Sequence, residues 1–264
     1  MATISFDAGA SAYDRIAGRW SRLYIPTLLA GASIAAGQRV LDVATGTGEA
    51  AVLAASLVGP SGRVLAVDIS LPMLHLAHAK AAGRPIALAA MDGQVLACRD
   101  RSFDAVICQL GLMFFPDLSR GLVEFRRVLR PRGRVAVCVW STPERVPMFG
   151  ILSEALSRHL PAQRELLHLS FSLADPRRLE RVLAGAGFHD VRVSGETRKI
   201  VFESFKEYWE PVEAGGGRSG QVYRGLSEGT RQAVREEVGQ RLSQFESDGR
   251  LVMEAEALFG LASG

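Results

Sequence analysis

The feature that most constrains the fold of this chain is a unit at residues 39–58. There an apolar run leads through a glycine-rich turn into a strong helix-forming segment. Such a unit is typical of the first strand, turn and helix of a parallel sheet that binds nucleotide-like ligands. Gly46 and Gly48 lack a Cβ atom, so the backbone can adopt a positive φ and a ligand can lie almost against it. The N–H groups that open the helix would then face the polar atoms of that ligand.

The same alternation of apolar strands and helices continues to residue 140. The predicted strands are 39–43, 63–68, 85–91, 102–108 and 134–140, and the predicted helices between them are 48–58, 71–82 and 117–130. Most of these strands are apolar throughout, which indicates that both faces of the sheet are covered. The sequence therefore predicts a doubly wound, mostly parallel α/β sheet.

Beyond residue 141 the pattern is looser. The spacing predicts, in order, helices at 146–160 and 175–186, strands at 189–193 and 198–202, and a long amphipathic helix near 228–246. A short Ser-Gly link separates the last two strands and favours an antiparallel hairpin at the sheet edge, for seven strands in all. Three consecutive glycines, 215–217, are interpreted as a flexible segment.

Two parts of the chain are expected. Residues 1–203 form the core with an N-terminal helical cap, and residues 204–264 form a helical extension packed on it. The cap comes from residues 8–36, where apolar side chains recur at helical spacing. Packing on the sheet edge and closure over a ligand are both open interpretations of this segment. For the extension, folding back on the sheet, shaping the acceptor pocket and pairing subunits are open.

The composition is that of an ordinary globular protein, with 48% hydrophobic and 22% charged residues. The net charge is +3, but no run of five like charges occurs, so we expect no nucleic-acid binding. Three scattered cysteines provide neither a disulfide framework nor a metal site. The N-terminus lacks a signal-peptide pattern and no apolar stretch is long enough to cross a bilayer, so we expect a cytoplasmic protein without membrane contact.

Acidic residues at the strand ends indicate which ligand the glycine turn serves. Asp42, Asp68 and Asp92 lie at the ends of three neighbouring strands. The spacing from Gly46 to Asp68 also fits a dinucleotide fold, so an NAD-dependent oxidoreductase is an alternative. Three carboxylates along one edge would repel a pyrophosphate, whereas a cationic ligand supplies the partner that a buried charge needs. S-adenosyl-L-methionine matches, with its ammonium, sulfonium, ribose diol and adenine amine.

A set of ordered motifs supports this ligand. They are Val40-Leu41-Asp42-x-x-x-Gly46-x-Gly48, Val67-Asp68-Ile69-Ser70, Asp92-Gly93, Phe103-Asp104-Ala105-Val106, Gly111 to Asp117, Arg127 to Gly133, Trp140 and Ala186-Gly187-Phe188. Over about residues 10–205 the chain resembles the class I S-adenosylmethionine-dependent methyltransferases, in particular the branch related to the ubiquinone and menaquinone C-methyltransferases. The resemblance implies a Rossmann-like methyltransferase fold with added helices.

The resemblance also implies roles for individual residues. Asp42 would hold the methionine amine, Asp68 the ribose hydroxyls and Asp92 the adenine amine. The implied cofactor-binding set is Asp42, Ala44, Thr45, Gly46, Gly48, Asp68, Ile69, Met73, Asp92, Gly93, Gln94 and Gln109, and the implied acceptor pocket is Met113, Phe114, Phe115 and Trp140. Core packing is an equally open interpretation of the four pocket residues. Ala44 departs from the family, which often has glycine there, and this puts cofactor affinity in question.

The implied reaction is an in-line transfer of a methyl group to a small, largely apolar acceptor, in which alignment and exclusion of water are the main tasks of the protein. No residue is assigned as catalytic base or metal ligand. His159 and His168 are the better candidates for a base, although a surface histidine is the simpler interpretation of each. A second alternative keeps the cofactor site without methyl transfer, as a rearrangement catalyst or an inactive subunit. The methylated atom and a homodimer are left open.

Overall fold

The computed structural model describes residues 18–264, which are organised around one mixed sheet. Its strands are β1 Arg39–Val43, β2 Arg63–Asp68, β3 Ile86–Ala90, β4 Phe103–Gln109, β5 Leu129–Trp140, β6 His189–Phe202, β7 Glu246–Ser247 and β8 Arg250–Ser263. Across the sheet the order is β3-β2-β1-β4-β5-β8-β6, and β7 pairs with β8 outside this order. The predicted doubly wound sheet of seven main strands is confirmed.

Helices cover the sheet, and several of them begin at a capping residue. They are α1 Arg19–Ser21, α2 Ile25–Gly31, α3 Glu49–Val58, α4 Leu71–Ala81, α5 Leu118–Val128, α6 Pro147–His159, α7 Arg164–Leu167, α8 Pro176–Gly185, α9 Phe205–Glu213, α10 Gly217–Arg224 and α11 Glu228–Leu242. The side chains of Ser70, Asp117 and Asp175 accept backbone N–H bonds at the starts of α4, α5 and α8. Within residues 18–264, no helix is both long and apolar enough to span a membrane.

Strands β1 to β5 run parallel, which places their carboxyl ends at one edge. Asp42 on β1 pairs with Ala66 on β2 and with Ile107 on β4, and Asp68 at the end of β2 pairs with Ala90 on β3. The interiors of β1, β4 and β5 are buried, as their apolar composition predicts, whereas β3 at the edge of the sheet is only partly buried. The segments that follow β1, β2, β3 and β4 therefore meet along the carboxyl edge.

The predicted hairpin between residues 189–193 and 198–202 is wrong. These residues form a single strand, β6, that continues through Ser194 and Gly195. The reason is β8, which pairs antiparallel with β6 from Arg192 to Phe202 and so keeps the Ser-Gly dipeptide extended. A Cβ atom on Gly195 would lie 2.9 Å from the Glu256 carboxylate, so glycine serves close packing here rather than a turn.

The prediction of a purely helical extension after residue 203 is also wrong. Helices α9 to α11 are present, but residues 250–263 form β8, which lies between β5 and β6. The two predicted parts of the chain therefore share one sheet. The glycines at 215–217 form an ordered turn between α9 and α10, with a φ of 81° at Gly215 and 62° at Gly217. Of the predicted cap at 8–36, residues 8–17 lie outside the described residues.

Candidate active site

The turn between β1 and α3 has three residues with positive φ, namely Ala44 at 57°, Gly46 at 55° and Gly48 at 86°. A Cβ atom on Gly46 would meet nothing within 4 Å, whereas one on Gly48 would lie 3.1 Å from Ala77 of α4. Gly48 is therefore needed for the contact between α3 and α4. Gly46 leaves an open surface on which a ligand can lie against the backbone.

The alanine that departs from the family pattern is accommodated by a glycine opposite it. A Cβ atom on Gly111, in the loop after β4, would lie only 2.4 Å from the Cβ of Ala44. The methyl group of Ala44 therefore takes up the space that Gly111 leaves. The positive φ costs an alanine roughly 1 kcal/mol relative to glycine, which is a modest strain.

Asp42 is fully buried beneath this turn and only one of its carboxylate oxygens is paired. Its Oδ2 accepts a hydrogen bond of 2.6 Å from the hydroxyl of Thr45. Its Oδ1 is buried without a hydrogen-bond partner among the described residues. Burial raises the pKa of Asp42 from 3.8 to about 7, an effect that the Thr45 hydroxyl and the backbone N–H of Ala51 oppose and nearby Asp68 strengthens. A cation beside Asp42 would favour the ionised form.

Asp68 holds the end of β2 against the glycine turn. Its Oδ2 accepts a 2.8 Å hydrogen bond from the N–H of Gly46, and its Oδ1 accepts one of 2.9 Å from the N–H of Ser70. Asp42, Thr45, Gly46 and Asp68 thus form one connected cluster. The next side chain, Ile69, is 66% exposed, so it offers an apolar surface beside this cluster.

The other predicted members of the cofactor set are held by their own loops. Gln94 donates through its side-chain amide to both oxygens of Asp92 and accepts the N–H of Asp117. Gly93 is close-packed, since a Cβ atom there would lie 2.8 Å from Val43. Asp92 lies at the same sheet edge, but its hydrogen bonds go to Gln94.

Met73 is buried in the first turn of α4. Its N–H donates to the hydroxyl of Ser70, which caps this helix. Val95 is a further residue near the site, and no sequence pattern predicted it. It follows Gln94 directly and is 53% exposed, so it is a second apolar side chain near the ends of β2 and β3.

Gln109, the last residue of β4, provides a second unpaired acceptor. It lies two residues beyond Ile107, which pairs with Asp42. Its Nε2 donates a 3.0 Å hydrogen bond to the carbonyl of Ser21, so the amide orientation is determined by that donor. Its Oε1 is buried and has no partner within residues 18–264.

Residues near the ends of α1 and α4 also surround the turn, and no sequence pattern predicted them. The carbonyl of Ser21 holds Gln109, and Arg22 lies 3.5 Å from the carboxylate of Glu49, the first residue of α3. Lys80 from α4 donates to Glu49 at 2.6 Å and to Thr47 at 3.1 Å. The described part of the predicted cap therefore contacts the site.

Three of the four predicted acceptor-pocket residues take part in packing. Trp140 is buried, with its ring centroid 5.5 Å from that of Tyr24, and Met113 is buried as well. The ring of Phe115 fills the space that Gly93 and Gly121 leave. Contact between these residues and an acceptor stays a prediction.

Phe114 differs from the other three in being covered by a cation. It is half-buried, and the guanidinium carbon of Arg218 lies 4.9 Å from its ring centroid. Arg218 comes from the tail, for which the sequence leaves several roles open. No local motif marks it, because only the packing of α10 brings it to this edge.

The histidines differ in burial. His168 is half-buried and its Nε2 has no partner in the described part of the chain, whereas His75, His78, His159 and His189 are exposed. Burial, and secondarily the charge of Arg164, lowers the pKa of His168, so the neutral imidazole is favoured near pH 7. His168 is therefore the histidine best suited to accept a proton on the acceptor side.

A groove of about 570 Å³ lies elsewhere, along β6 and β8. Its lining includes Glu144, Glu254 and Glu256 together with Arg145 and Lys199. Arg145 already pairs with Glu256 at 2.7 Å. The groove along β6 and β8 lacks a glycine turn and lacks the unpaired groups found at the carboxyl edge. The candidate active site is therefore the carboxyl edge and not this groove. Within residues 18–264, no three His, Cys, Asp or Glu side chains are grouped to hold a metal.

Comparison with known proteins matches the part of the chain that forms this edge. A family model described as a methyltransferase domain matches residues 41–137, from β1 into β5. The match includes the glycine turn, Asp68, the loop of Asp92 and Gln109. These are the segments that meet at the carboxyl edge.

Two relatives and one solved structure illustrate the similarity. A demethylmenaquinone methyltransferase of Corynebacterium kroppenstedtii is 35% identical over 177 residues, covering 62% of this chain and 74% of the relative. One of Lactobacillus johnsonii is 31% identical over 175 residues, covering 61% and 72%. Haemonchus contortus phosphoethanolamine N-methyltransferase 2, solved with S-adenosyl-L-methionine, is 20% identical with a TM-score of 0.62, covering 99% of this chain and 60% of that one. The last similarity concerns the fold alone.

Proposed function

This chain belongs to the S-adenosylmethionine-dependent methyltransferases, and we propose that it methylates a small, largely apolar molecule with a quinone-like ring. The names of the two relatives, both demethylmenaquinone methyltransferases, support a ring of this kind. The proposals of an NAD-dependent oxidoreductase and of a protein without methyl transfer are set aside. A cytoplasmic location, a homodimer and the absence of nucleic-acid binding stay predictions.

The observation that carries the proposal is a pair of buried, unpaired acceptors beside the open surface of Gly46. Asp42 Oδ1 and Gln109 Oε1 both lack a donor among the described residues. An unpaired buried acceptor costs about 1–3 kcal/mol, so a ligand that donates hydrogen bonds or carries positive charge is favoured there. A pyrophosphate would instead place negative charge against Asp42 and Asp68. The residues present therefore fit S-adenosylmethionine.

Each part of the cofactor has a matching group on this chain. Asp42 would hold the ammonium, Asp68 would accept from the ribose hydroxyls, and Ile69 would cover the adenine. Asp92 and Gln94 would border the adenine edge. When bound, S-adenosylmethionine supplies a methyl group that its sulfonium makes electrophilic.

The main task of the protein is then to align the acceptor with that methyl group and to exclude water. Alignment of two reactants can lower a barrier by about 7–11 kcal/mol. An acceptor that arrives protonated must also lose a proton, and the unpaired Nε2 of His168 is the group we assign to receive it. His168→Asn should lower kcat most near and above pH 7, where the imidazole of the parent is neutral, and least at low pH, where that imidazole is already protonated. Cofactor affinity should stay within about twofold of the parent, because only proton transfer is affected.

Calorimetric titration with S-adenosylmethionine tests the cofactor assignment. We expect the parent to bind and Asp68→Ala to bind at least tenfold more weakly, because the variant loses the anchor for Gly46 and the ribose acceptor. Asp175→Asn is the matched control, since this aspartate caps α8 away from the turn and asparagine caps a helix equally well. No binding by the parent, or equal binding by parent and Asp68→Ala, refutes the assignment.

Product analysis tests the reaction. Incubation of the parent with S-adenosylmethionine and 1,4-naphthoquinol under reducing conditions should yield S-adenosylhomocysteine and a methylated naphthoquinol. Mass spectrometry detects both products. Cofactor binding without either product would contradict the quinone-like acceptor and leave the cofactor assignment intact.

A further inference from the structure

Arg218 lies on the acceptor side of the carboxyl edge. It is in the first turn of α10, and its guanidinium covers the ring of Phe114, five residues after Gln109. Its Nη1 donates a 2.8 Å hydrogen bond to the carbonyl of Leu166 in α7. The turn that contains Phe114 contacts residues 169–171, just after α7. Arg218 thus lies where segments after β4 and β5 meet the tail.

The remaining side of this guanidinium has no partner among the described residues. Nε and Nη2 of Arg218 are both buried and form no hydrogen bond within residues 18–264. No carboxylate there compensates the charge, since burial alone lowers the pKa of Arg218, to about 10. The side chain remains protonated at neutral pH even so. A buried charge without a counter-ion is strongly unfavourable, so its retention calls for an anionic partner.

The position in the helix adds to this cost. The N-terminal end of a helix carries partial positive charge, which favours an acid in the first turn rather than an arginine. The first turn of α10 contains no acidic residue. Local helix energetics therefore give no reason for Arg218 to be there.

The geometry of the unpaired atoms indicates the chemical class of the partner. Nε and Nη2 form one edge of the guanidinium, with two parallel N–H bonds that match the two oxygens of a carboxylate or phosphate. The ring of Phe114 beneath the guanidinium is an apolar, aromatic surface. A flat ring that bears a carboxylate would satisfy both features at once.

We propose that Arg218 is a specificity residue that binds a carboxylate on the ring of the acceptor through Nε and Nη2. Quinone-like rings that carry a carboxylate are thereby preferred as acceptors over neutral rings. This inference rests on the proposed function, since it assigns a group on the molecule that is methylated. Free inorganic phosphate shares the same two-oxygen chemistry and is the alternative source of the anion.

The test compares two ligands that differ only in charge. The full chain, saturated with S-adenosylhomocysteine, is titrated by calorimetry with 2-naphthoate and with 2-naphthamide. The parent should bind 2-naphthoate at least about tenfold more tightly, as expected for a charge-assisted bidentate pair. Arg218→Met should bind both ligands equally. Arg224→Met, an exposed arginine at the end of the same helix, should retain the preference.

Further variants separate charge from geometry and binding from folding. Arg218→Lys keeps the charge without the planar fork and should retain only part of the preference. Binding of S-adenosylhomocysteine is measured in every variant. If Arg218→Met no longer binds S-adenosylhomocysteine, Arg218→Lys becomes the variant that tests the proposal. A full preference for 2-naphthoate in Arg218→Lys overturns the bidentate assignment.

Several results would overturn the proposal. They are equal affinity of the parent for the two naphthalene ligands, no binding of 2-naphthoate, or an unchanged preference in Arg218→Met. Titration with inorganic phosphate alone is the third arm, and millimolar phosphate should leave 2-naphthoate binding unchanged. Phosphate that binds through Arg218 and displaces 2-naphthoate would make this a phosphate site.

If the parent does not bind S-adenosylhomocysteine, the proposed function fails. A lost naphthoate preference with cofactor binding intact defeats only this inference.

Discussion

Replacement of Asp42 by asparagine should stabilise the protein without ligand and weaken its binding of the cofactor. The carboxylate is fully buried, with one oxygen bound to Thr45 and the other unpaired. Asparagine has nearly the same shape, can still accept the Thr45 hydroxyl bond and carries no charge. The substitution therefore removes the cost of a buried negative charge while retaining the local packing.

The magnitude follows from the pKa of Asp42, which burial raises from 3.8 to about 7. The folded protein keeps this proton up to about pH 7, whereas the unfolded chain releases it near pH 3.8. Stability therefore falls as pH rises through this window, because the unfolded state binds fewer protons. At about 1.36 kcal/mol per pKa unit, the free energy of unfolding at pH 8 should be about 4 kcal/mol higher in Asp42→Asn. At pH 4 the two proteins should be nearly equal.

The assay is urea unfolding followed by tryptophan fluorescence at five values between pH 4 and pH 8, for the parent, Asp42→Asn and Asp175→Asn. Asp175 is an exposed helix cap, so its variant should differ from the parent by a constant amount below about 1 kcal/mol. Titration with S-adenosylmethionine should show that parent affinity rises about tenfold per pH unit below pH 7 and then levels off. In Asp42→Asn it should stay low throughout. A variant less stable than the parent at pH 8, or a difference that does not change with pH, would refute the reasoning.

Three further predictions concern the turn and the loop after β3. Gly46→Ala should lower the unfolding free energy by about 1 kcal/mol, measured by denaturant titration, and should remove most of the cofactor affinity. Gly83 also has a positive φ and open space around it, so Gly83→Ala should lower the unfolding free energy alone. Thr45→Val should shift the pH midpoint of cofactor binding upward, because the hydroxyl lowers the pKa of Asp42, and an unchanged midpoint would contradict this role. Arg127→Met should lower the unfolding free energy by about 2–4 kcal/mol at pH 8, since two buried carbonyls and two carboxylates lose their donor. That loss should shrink at pH 4, because Arg127 lowers the pKa of a carboxylate partner, and an equal loss at both values would count against the network.

Local signals in the sequence determined the parallel half of the fold. The strands at 39–43 and 63–68 were predicted to the residue, because an apolar run bounded by glycine turns leaves few alternatives. Helices α4, α5 and α8 begin within one residue of their predicted starts, next to the caps Ser70, Asp117 and Asp175. Parallel strands end at a common edge, so the meeting of Asp42 with Asp68 at the glycine turn also followed from sequence.

Tertiary structure alone decided the antiparallel half and the acceptor side. Residues 250–263 are rich in alanine, glutamate and leucine, which favour helix, yet they form β8 because β5 and β6 offer backbone partners on both sides. The Ser-Gly pair in β6 stays extended for the same reason. Arg218 reaches Phe114 only through the packing of α10, a contact between residues more than one hundred positions apart. Local residue patterns determine strands, turns and caps, whereas pairing partners and the surroundings of a buried charge depend on which distant segments pack together.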